Sequence, residues 1–223
     1  MRVGGKMVSK PSCELPDDTD PASVEIEVSP ETRYVSRGGL KLEAALDAFG
    51  ISVCGLRALD IGASTGGFTD CLLSRGAAQV TAVDSGHGQL SARLAADSRV
   101  RSLEGMNARY LSAAEVGTGY DIAVMDVSFI SQTLILPVIP ALLRDGGELV
   151  SLIKPQFEVG RADVGKGGIV RSAAARERAV TAVRTAADAV GLKCCGVITS
   201  PIQGGDGNTE YLAHFRRAAT TGK

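Results

Sequence analysis

The sequence predicts an α/β fold. Seven strands form one mostly parallel sheet with an antiparallel last strand, helices cover both faces, and a small unit precedes it. Three observations carry this. After residue 33, short apolar runs alternate with amphipathic stretches of helical period, the pattern of a parallel sheet buried on both sides. The first strong run passes through the glycine-rich turn Asp60-Ile61-Gly62-Ala63-Ser64-Thr65-Gly66-Gly67-Phe68 into a helix. The final two runs, Leu192–Thr199 and Thr209–Phe215, leave no room for a helix between them, so they pair as antiparallel neighbours.

Taken in order, residues 1–32 read as a distinct lead-in and residues 33–223 as the main domain. The lead-in has a strand-like Arg2–Val8, an acidic, turn-rich Pro16–Pro21, and Val24–Val28 with alternating charge. Leu40, Ala44, Leu46 and Phe49 then mark the first helix of the main domain. Strands are expected at Leu56–Ile61, Val80–Asp84, Val100–Leu103, Asp121–Asp126 and Glu148–Ile153. Helices are expected at Phe68–Ser74, Leu90–Ala96, Leu134–Leu143 (with proline interruptions) and Arg176–Val190.

Composition narrows the function. At 223 residues and 44% hydrophobic content, the chain can bury a large core and is too apolar for a disordered tail. A net charge of −1 excludes a protein basic all over. Residues 1–32 hold three basic and seven acidic residues, which leaves the remainder at +3 and permits a local basic patch. The cysteines, Cys13, Cys54, Cys71, Cys194 and Cys195, make no C-x-x-C pair and have only His87 and His214 beside them. No metal site is expected; reduced thiols in a cytoplasmic protein are. No signal-peptide pattern opens the chain. The longest apolar run, Thr133–Leu143, contains two prolines and is too short to insert across a bilayer.

The glycine turn lies where open α/β sheets bind nucleotides, past the carboxyl end of the first strand. Its spacing is G-x-x-x-G-G, unlike the G-x-G-x-x-G that cradles a pyrophosphate. Asp60, just before it, favours a cationic or amine-bearing ligand. S-adenosylmethionine has an amino group, a sulfonium and no phosphate, and it fits. Candidate contacts are Asp60, Gly62, Ala63, Ser64, Gly66, Gly67 and Phe68, with Asp126 past the fourth strand. Asp84, ending the second strand, would take the ribose hydroxyls, and Asn107, past the third, would reach adenine. A side chain on Gly62 is expected to block the methionine part of the donor and leave the fold intact.

Further segments carry a family resemblance: Tyr34-Val35-Ser36-Arg37-Gly38-Gly39-Leu40-Lys41, Asn107-Ala108-Arg109-Tyr110-Leu111, Met125-Asp126-Val127-Ser128-Phe129-Ile130-Ser131, Ile153-Lys154-Pro155-Gln156-Phe157-Glu158-Val159-Gly160 and Gly165-Lys166-Gly167-Gly168-Ile169-Val170. With the glycine turn they closely resemble the TlyA-type rRNA methyltransferases, also called hemolysin A, over essentially everything after residue 33. The resemblance implies a Rossmann-like, S-adenosylmethionine-dependent methyltransferase fold similar to FtsJ. It also implies methylation of ribose 2′-hydroxyls of cytidines in ribosomal RNA. Lys41, Asp126, Lys154 and Glu210 resemble the catalytic tetrad of the FtsJ-like ribose 2′-O-methyltransferases. That family usually begins with a complete RNA-binding domain of the ribosomal-protein α-L type. Here only the tail of one is expected, with Arg2-Val3-Gly4-Gly5-Lys6 to Lys10-Pro11 resembling its final hairpin.

A ribose hydroxyl is a poor nucleophile and needs a positioned base. Lys154 is expected to face it and accept or steer its proton, with Lys41 nearby and partial burial lowering the lysine pKa. Asp126 would lie between donor and lysine, and Glu210 would orient Lys41 or Lys154; either lysine stays open as the base. Arg37 and the basic, glycine-rich loop with Arg161, Lys166 and Arg171 are candidates for phosphate contacts with ribosomal RNA or ribosomal subunits. Singly, each tetrad residue has an ordinary reading, such as a solvated helix face for Lys41 or a turn cap for Asp126. Their order, each at the edge of one site, argues for chemistry. Two alternatives remain: a membrane-active hemolysin, which no basic amphipathic helix supports, and an RNA-binding remnant without activity.

Overall fold

The computed structural model describes residues 33–204 and 207–219, residues 19–20, and three short strands at 2–3, 6–7 and 24–25. The chain divides into two compact units, residues 1–33 and residues 34–223. In the first, Arg2–Val3 pairs antiparallel with both Lys6–Met7 and Val24–Glu25. The rest of the expected lead-in strands, and most of the acidic turn, lie outside the described residues.

The second unit is built on seven strands: β1 (Arg57–Ile61), β2 (Gln79–Val83), β3 (Val100–Leu103), β4 (Tyr120–Met125), β5 (Leu143–Ile153), β6 (Leu192–Thr199) and β7 (Tyr211–Arg217). Their order across the sheet is β3-β2-β1-β4-β5-β7-β6. β3, β2, β1, β4 and β5 run parallel to one another, and β7 is antiparallel to both β5 and β6. Strand residues alternate between two apolar layers, so the central strands read as nearly unbroken apolar runs. On one face Ala58, Val80, Val124 and Leu152 pack against α1 (Gly38–Phe49), α2 (Gly67–Ser74) and α3 (Ala92–Ala95) through Leu42, Leu46, Leu72 and Leu94. On the other, Leu59, Ile61, Met125 and Phe215 meet α4 (Ala113–Val116), α5 (Ile139–Leu142) and α7 (Ala173–Ala189) through Val116, Ile139, Val183 and Ala187. Each fully buried large aliphatic side chain contributes about 1.5–3 kcal/mol.

Local chemistry sets the helix ends. The amide of Gly50, at φ +66°, bonds back to the carbonyl of Asp47 and stops α1. Ser172 Oγ accepts from the amide of Ala175 and starts α7. Three expectations are corrected. The helix expected over Leu134–Leu143 is two 3₁₀ turns, Gln132–Leu134 and Leu136–Val138, followed by the single turn of α5. Pro137 and Pro140 lack the amide that a continuous helix needs. The helix expected at Leu90–Ala96 shrinks to α3, and β5 begins at Leu143 rather than Glu148.

The antiparallel strand explains how the site assembles. β1, β4 and β5 all end at one edge of the sheet. β7 runs the other way, with Tyr211 opposite Ile153. Glu210, just before β7, is thereby delivered to the same edge as Lys154, just after β5.

Candidate active site

The four tetrad residues meet at that edge as two lysine–carboxylate pairs. Lys41 Nζ, from α1, donates to Glu210 Oε2 at 2.5 Å, and both residues are buried. Lys154 Nζ lies 2.6 Å from Asp126 Oδ1, a close ion pair rather than an aligned hydrogen bond, and donates to Ser128 Oγ at 2.9 Å. Glu210 therefore holds Lys41, not Lys154. The pairs differ in access: the Lys41 and Glu210 side chains are 10% and 2% exposed, those of Lys154 and Asp126 13% and 21%.

Three adjoining cavities surround these pairs. The first, about 310 Å³, has Arg37, Lys41 and Lys154 in its wall together with the glycine turn. The second, about 470 Å³, is lined by Asp84, Met106, Asn107 and Val127 and by no lysine or arginine. The third, about 300 Å³, is lined by Phe129, Phe157, Gln156, Lys154 and Glu210. Gly62, Ser64 and Asp126 border the first and second, and Ser128 borders all three.

The glycine turn is shaped by close approach. Gly62 has φ +84°, and a Cβ there would stand 2.3 Å from the backbone oxygen of Asp126. This corrects the expectation that a side chain at Gly62 spares the fold, because it would collide with the end of β4. Ser64 holds φ +49° without being glycine, the kind of strain that collects at functional sites. Asp84 fixes the turn: its Oδ2 accepts from the Ser64 amide at 2.8 Å and its Oδ1 from the Gly86 amide at 2.7 Å.

Not every expected contact faces a cavity. Ala63, Gly67 and Phe68 line the first, and Asn107 and Asp84 the second. Gly66, at φ +98°, caps α2 against Leu90 and Leu94 and borders neither. Asp60 is wholly buried beneath the turn. Its Oδ2 accepts from Thr69 Oγ1 at 2.6 Å, while its Oδ1 has no partner. Burial pushes its pKa up to about 7 against the Thr69 bond, and the Asp126 and Asp84 charges add to the rise. Asp60 supports the turn from below.

Arg37 stands exposed at the mouth of the first cavity. Arg161, Lys166 and Arg171 are also exposed and line none of the three cavities, although their loop neighbours Val164 and Gly168 border the third. Buried Asn208 ties that loop down: Oδ1 accepts from the Val170 amide at 2.9 Å, and Nδ2 donates to the Gly168 carbonyl at 2.9 Å. The sequence reading missed Ser36, Thr65 and Gln203 in the first cavity, as well as the roles of Ser128 and Phe129. Phe129 is 91% exposed at φ +64°, its ring 5.2 Å from that of Phe157. Nothing in the run from Asp126 to Ser131 marks its exposure or its left-handed backbone.

The FtsJ-like methyltransferase family model matches residues 34–217. The chain belongs to that family. It is 44% identical over 216 residues to the 16S/23S rRNA (cytidine-2′-O)-methyltransferase TlyA of Mycobacterium tuberculosis, covering 97% of this chain and 80% of the relative. It is 48% identical over 199 residues to hemolysin A of Brachyspira hyodysenteriae, covering 89% and 81%. Among solved structures, a Streptococcus thermophilus protein provisionally described as a hemolysin superposes with a TM-score of 0.81 at 50% identity, over 83% of this chain and 68% of that one. S-adenosylmethionine is the donor that goes with this family, and the residues fit it. The second cavity offers carboxylates and no lysine or arginine, so it suits a cation with a ribose and repels a pyrophosphate. Among the described residues, no helix is long and apolar enough to cross a membrane, and no group of three or more histidines, cysteines or carboxylates could hold a metal. Cys54, Cys71, Cys194 and Cys195 are free thiols.

Proposed function

We propose that this chain methylates ribose 2′-hydroxyls of cytidines in ribosomal RNA, acting in the cytoplasm on the RNA or on ribosomal subunits. The observation that carries the reading is the joining of two lysine–carboxylate pairs at the junction of the three cavities. The name printed for the Mycobacterium tuberculosis relative supports the substrate and the cytidine.

When bound, S-adenosylmethionine supplies an electrophilic methyl carbon. The chain's residues do the rest. The glycine turn, Asp84 and Asn107 form the donor's seat. Lys154 borders both the first and third cavities, so its Nζ is the group that meets an entering 2′-hydroxyl and takes or steers its proton. Asp126 and Ser128 hold that amine in place, which supplies the orientation that an in-line displacement needs. Lys41, neutralised by Glu210, is the closed pair. It forms the wall and keeps a positive end near the oxygen as charge develops there. Arg37 and the 161–171 loop meet backbone phosphates. The exposed face of Phe129 gives the target base a surface to stack on.

The test is to incubate the chain with labelled S-adenosylmethionine and ribosomal subunits or naked ribosomal RNA, then digest to nucleosides. Label is expected in 2′-O-methylcytidine. Label confined to methylated bases, or none incorporated, would overturn the reading.

A further inference from the structure

The first and third cavities differ in chemistry. The first presents Arg37, Lys41 and Lys154, which suits a sugar–phosphate. The third shares Lys154 and Ser128 with it and adds Phe129, Phe157, Val164 and Gly168 beside Gln156 and Glu210; its two aromatic rings suit a base. Most polar groups of the third cavity are already committed: Ser128 to Lys154, Lys154 to Asp126, and Glu210 to Lys41. Gln156 is not. Its Oε1 is buried and has no hydrogen-bond partner. A buried acceptor left unpaired is destabilising, and a ligand that donates to it relieves that cost. Gln156 is also firmly placed, two residues after Lys154 in the short helix α6 (Pro155–Glu158), whose first residue, Pro155, is buried.

We propose that Gln156 is a specificity-determining residue: its side-chain amide reads the Watson–Crick edge of the target base in the third cavity, with Oε1 accepting from the 4-amino group of cytosine. Sequence-specific recognition of single-stranded RNA uses this combination of aromatic stacking and hydrogen bonds to base edges. An amide offers one acceptor and one donor group. Cytosine places an amine opposite the acceptor, whereas 2-pyrimidinone places only a carbon-bound hydrogen there and leaves the acceptor unpaired. The proposal rests on the ribose-methyltransferase reading above.

The test compares RNA substrates that differ only at the methylated position, carrying cytidine, uridine or 2-pyrimidinone riboside, which lacks the 4-amino group. The wild-type chain should prefer cytidine to the pyrimidinone by roughly 10- to 100-fold in kcat/KM, the ratio for one buried unpaired group. Gln156→Ala should lose a similar factor on cytidine and treat the three alike. Gln156→Glu keeps an acceptor and should restore the preference for cytidine over the pyrimidinone. S-adenosylmethionine affinity should be unchanged in both variants, because Gln156 borders neither of the first two cavities. A Gln156→Ala enzyme that retains the wild-type ratio, or a Gln156→Glu enzyme that fails to restore it, overturns this assignment alone. A wild-type chain that methylates the ribose of no substrate overturns the parent reading and this one together.

Discussion

Burial raises the pKa of Asp60, and the consequence for stability has a definite sign. Its carboxyl titrates near 7 in the folded chain, against 3.8 for the ordinary group, because burial outweighs the Thr69 bond. Between those values the folded state holds a proton that the unfolded chain has released. The group's contribution is therefore complete below about pH 4 and is lost as pH rises through 7, by up to about 4 kcal/mol. Asp60→Asn keeps an acceptor for Thr69 and carries no charge. Thermal melts from pH 5 to pH 8 should show its stability relative to wild type growing with pH; a constant difference would contradict this. The two lysines should also separate by stability. Lys41→Ala strands Glu210, 2% exposed, and should cost roughly 3–5 kcal/mol in denaturant titration. Lys154→Ala leaves the more open Asp126 behind and should cost clearly less; equal losses would contradict the distinction. The tetrad's positions were legible because each ends or begins a readable strand or helix. The pairing was not, since nothing in the spacing says that residue 41 reaches residue 210. Nor could the sequence show that Asp60 points towards α2, because a strand buried on both faces has no polar side to mark its register.

The 126–131 loop after β4 is held at both ends. The Asp126 amide donates to the Ile61 carbonyl at 2.9 Å. At the other end Glu158, in α6, accepts from Ser131 Oγ at 2.6 Å and from the Gln132 amide at 2.9 Å, and burial raises its pKa. The buried Gln132 side chain bonds to Ser151 and to the Leu152 carbonyl on β5. This brace fixes Ser128 and Phe129 relative to Lys154. Glu158→Gln can accept from one donor but offers an amine to the other. It should lower kcat about 10- to 100-fold, the effect of a small misplacement, with S-adenosylmethionine affinity unchanged by calorimetry; an unchanged kcat would remove the brace from the account. Elements with clean periodicity, β1, β2, β4 and α7, were read within a few residues of where they lie. The stretch from 132 to 147 was misread because two prolines break an apolar run that otherwise looks helical. The Glu158–Gln132–Ser151 network left no sequence signal, since its bonded pairs are 26 and 19 positions apart with no shared period.

At the scale of the whole molecule, a net charge of −1 means that RNA affinity must come from local cations, with Arg37, Arg161, Lys166 and Arg171 as the candidates. Single-strand contacts release counterions with a log–log salt slope of about −0.7 per phosphate. Filter binding across salt concentrations should therefore give a slope of about −2 to −3, with Arg37→Ala reducing it by about 0.7. A slope untouched by substitution of all four residues would place the RNA surface elsewhere. The mostly parallel sheet and its antiparallel strand were legible because alternating strands and helices admit few arrangements; the order of the strands was not read. The division of the site into three cavities was not legible, since it arises where the segments after six strands meet. In the proposed reaction Lys154 acts on the 2′-hydroxyl and takes no part in holding the donor. A single-turnover comparison of wild type and Lys154→Ala, with donor affinity measured on the same samples, tests this most directly. The prediction is a methyl-transfer rate lower by roughly 10²–10⁴ with S-adenosylmethionine affinity within a few-fold; transfer at near wild-type rate, or lost donor binding, would contradict it.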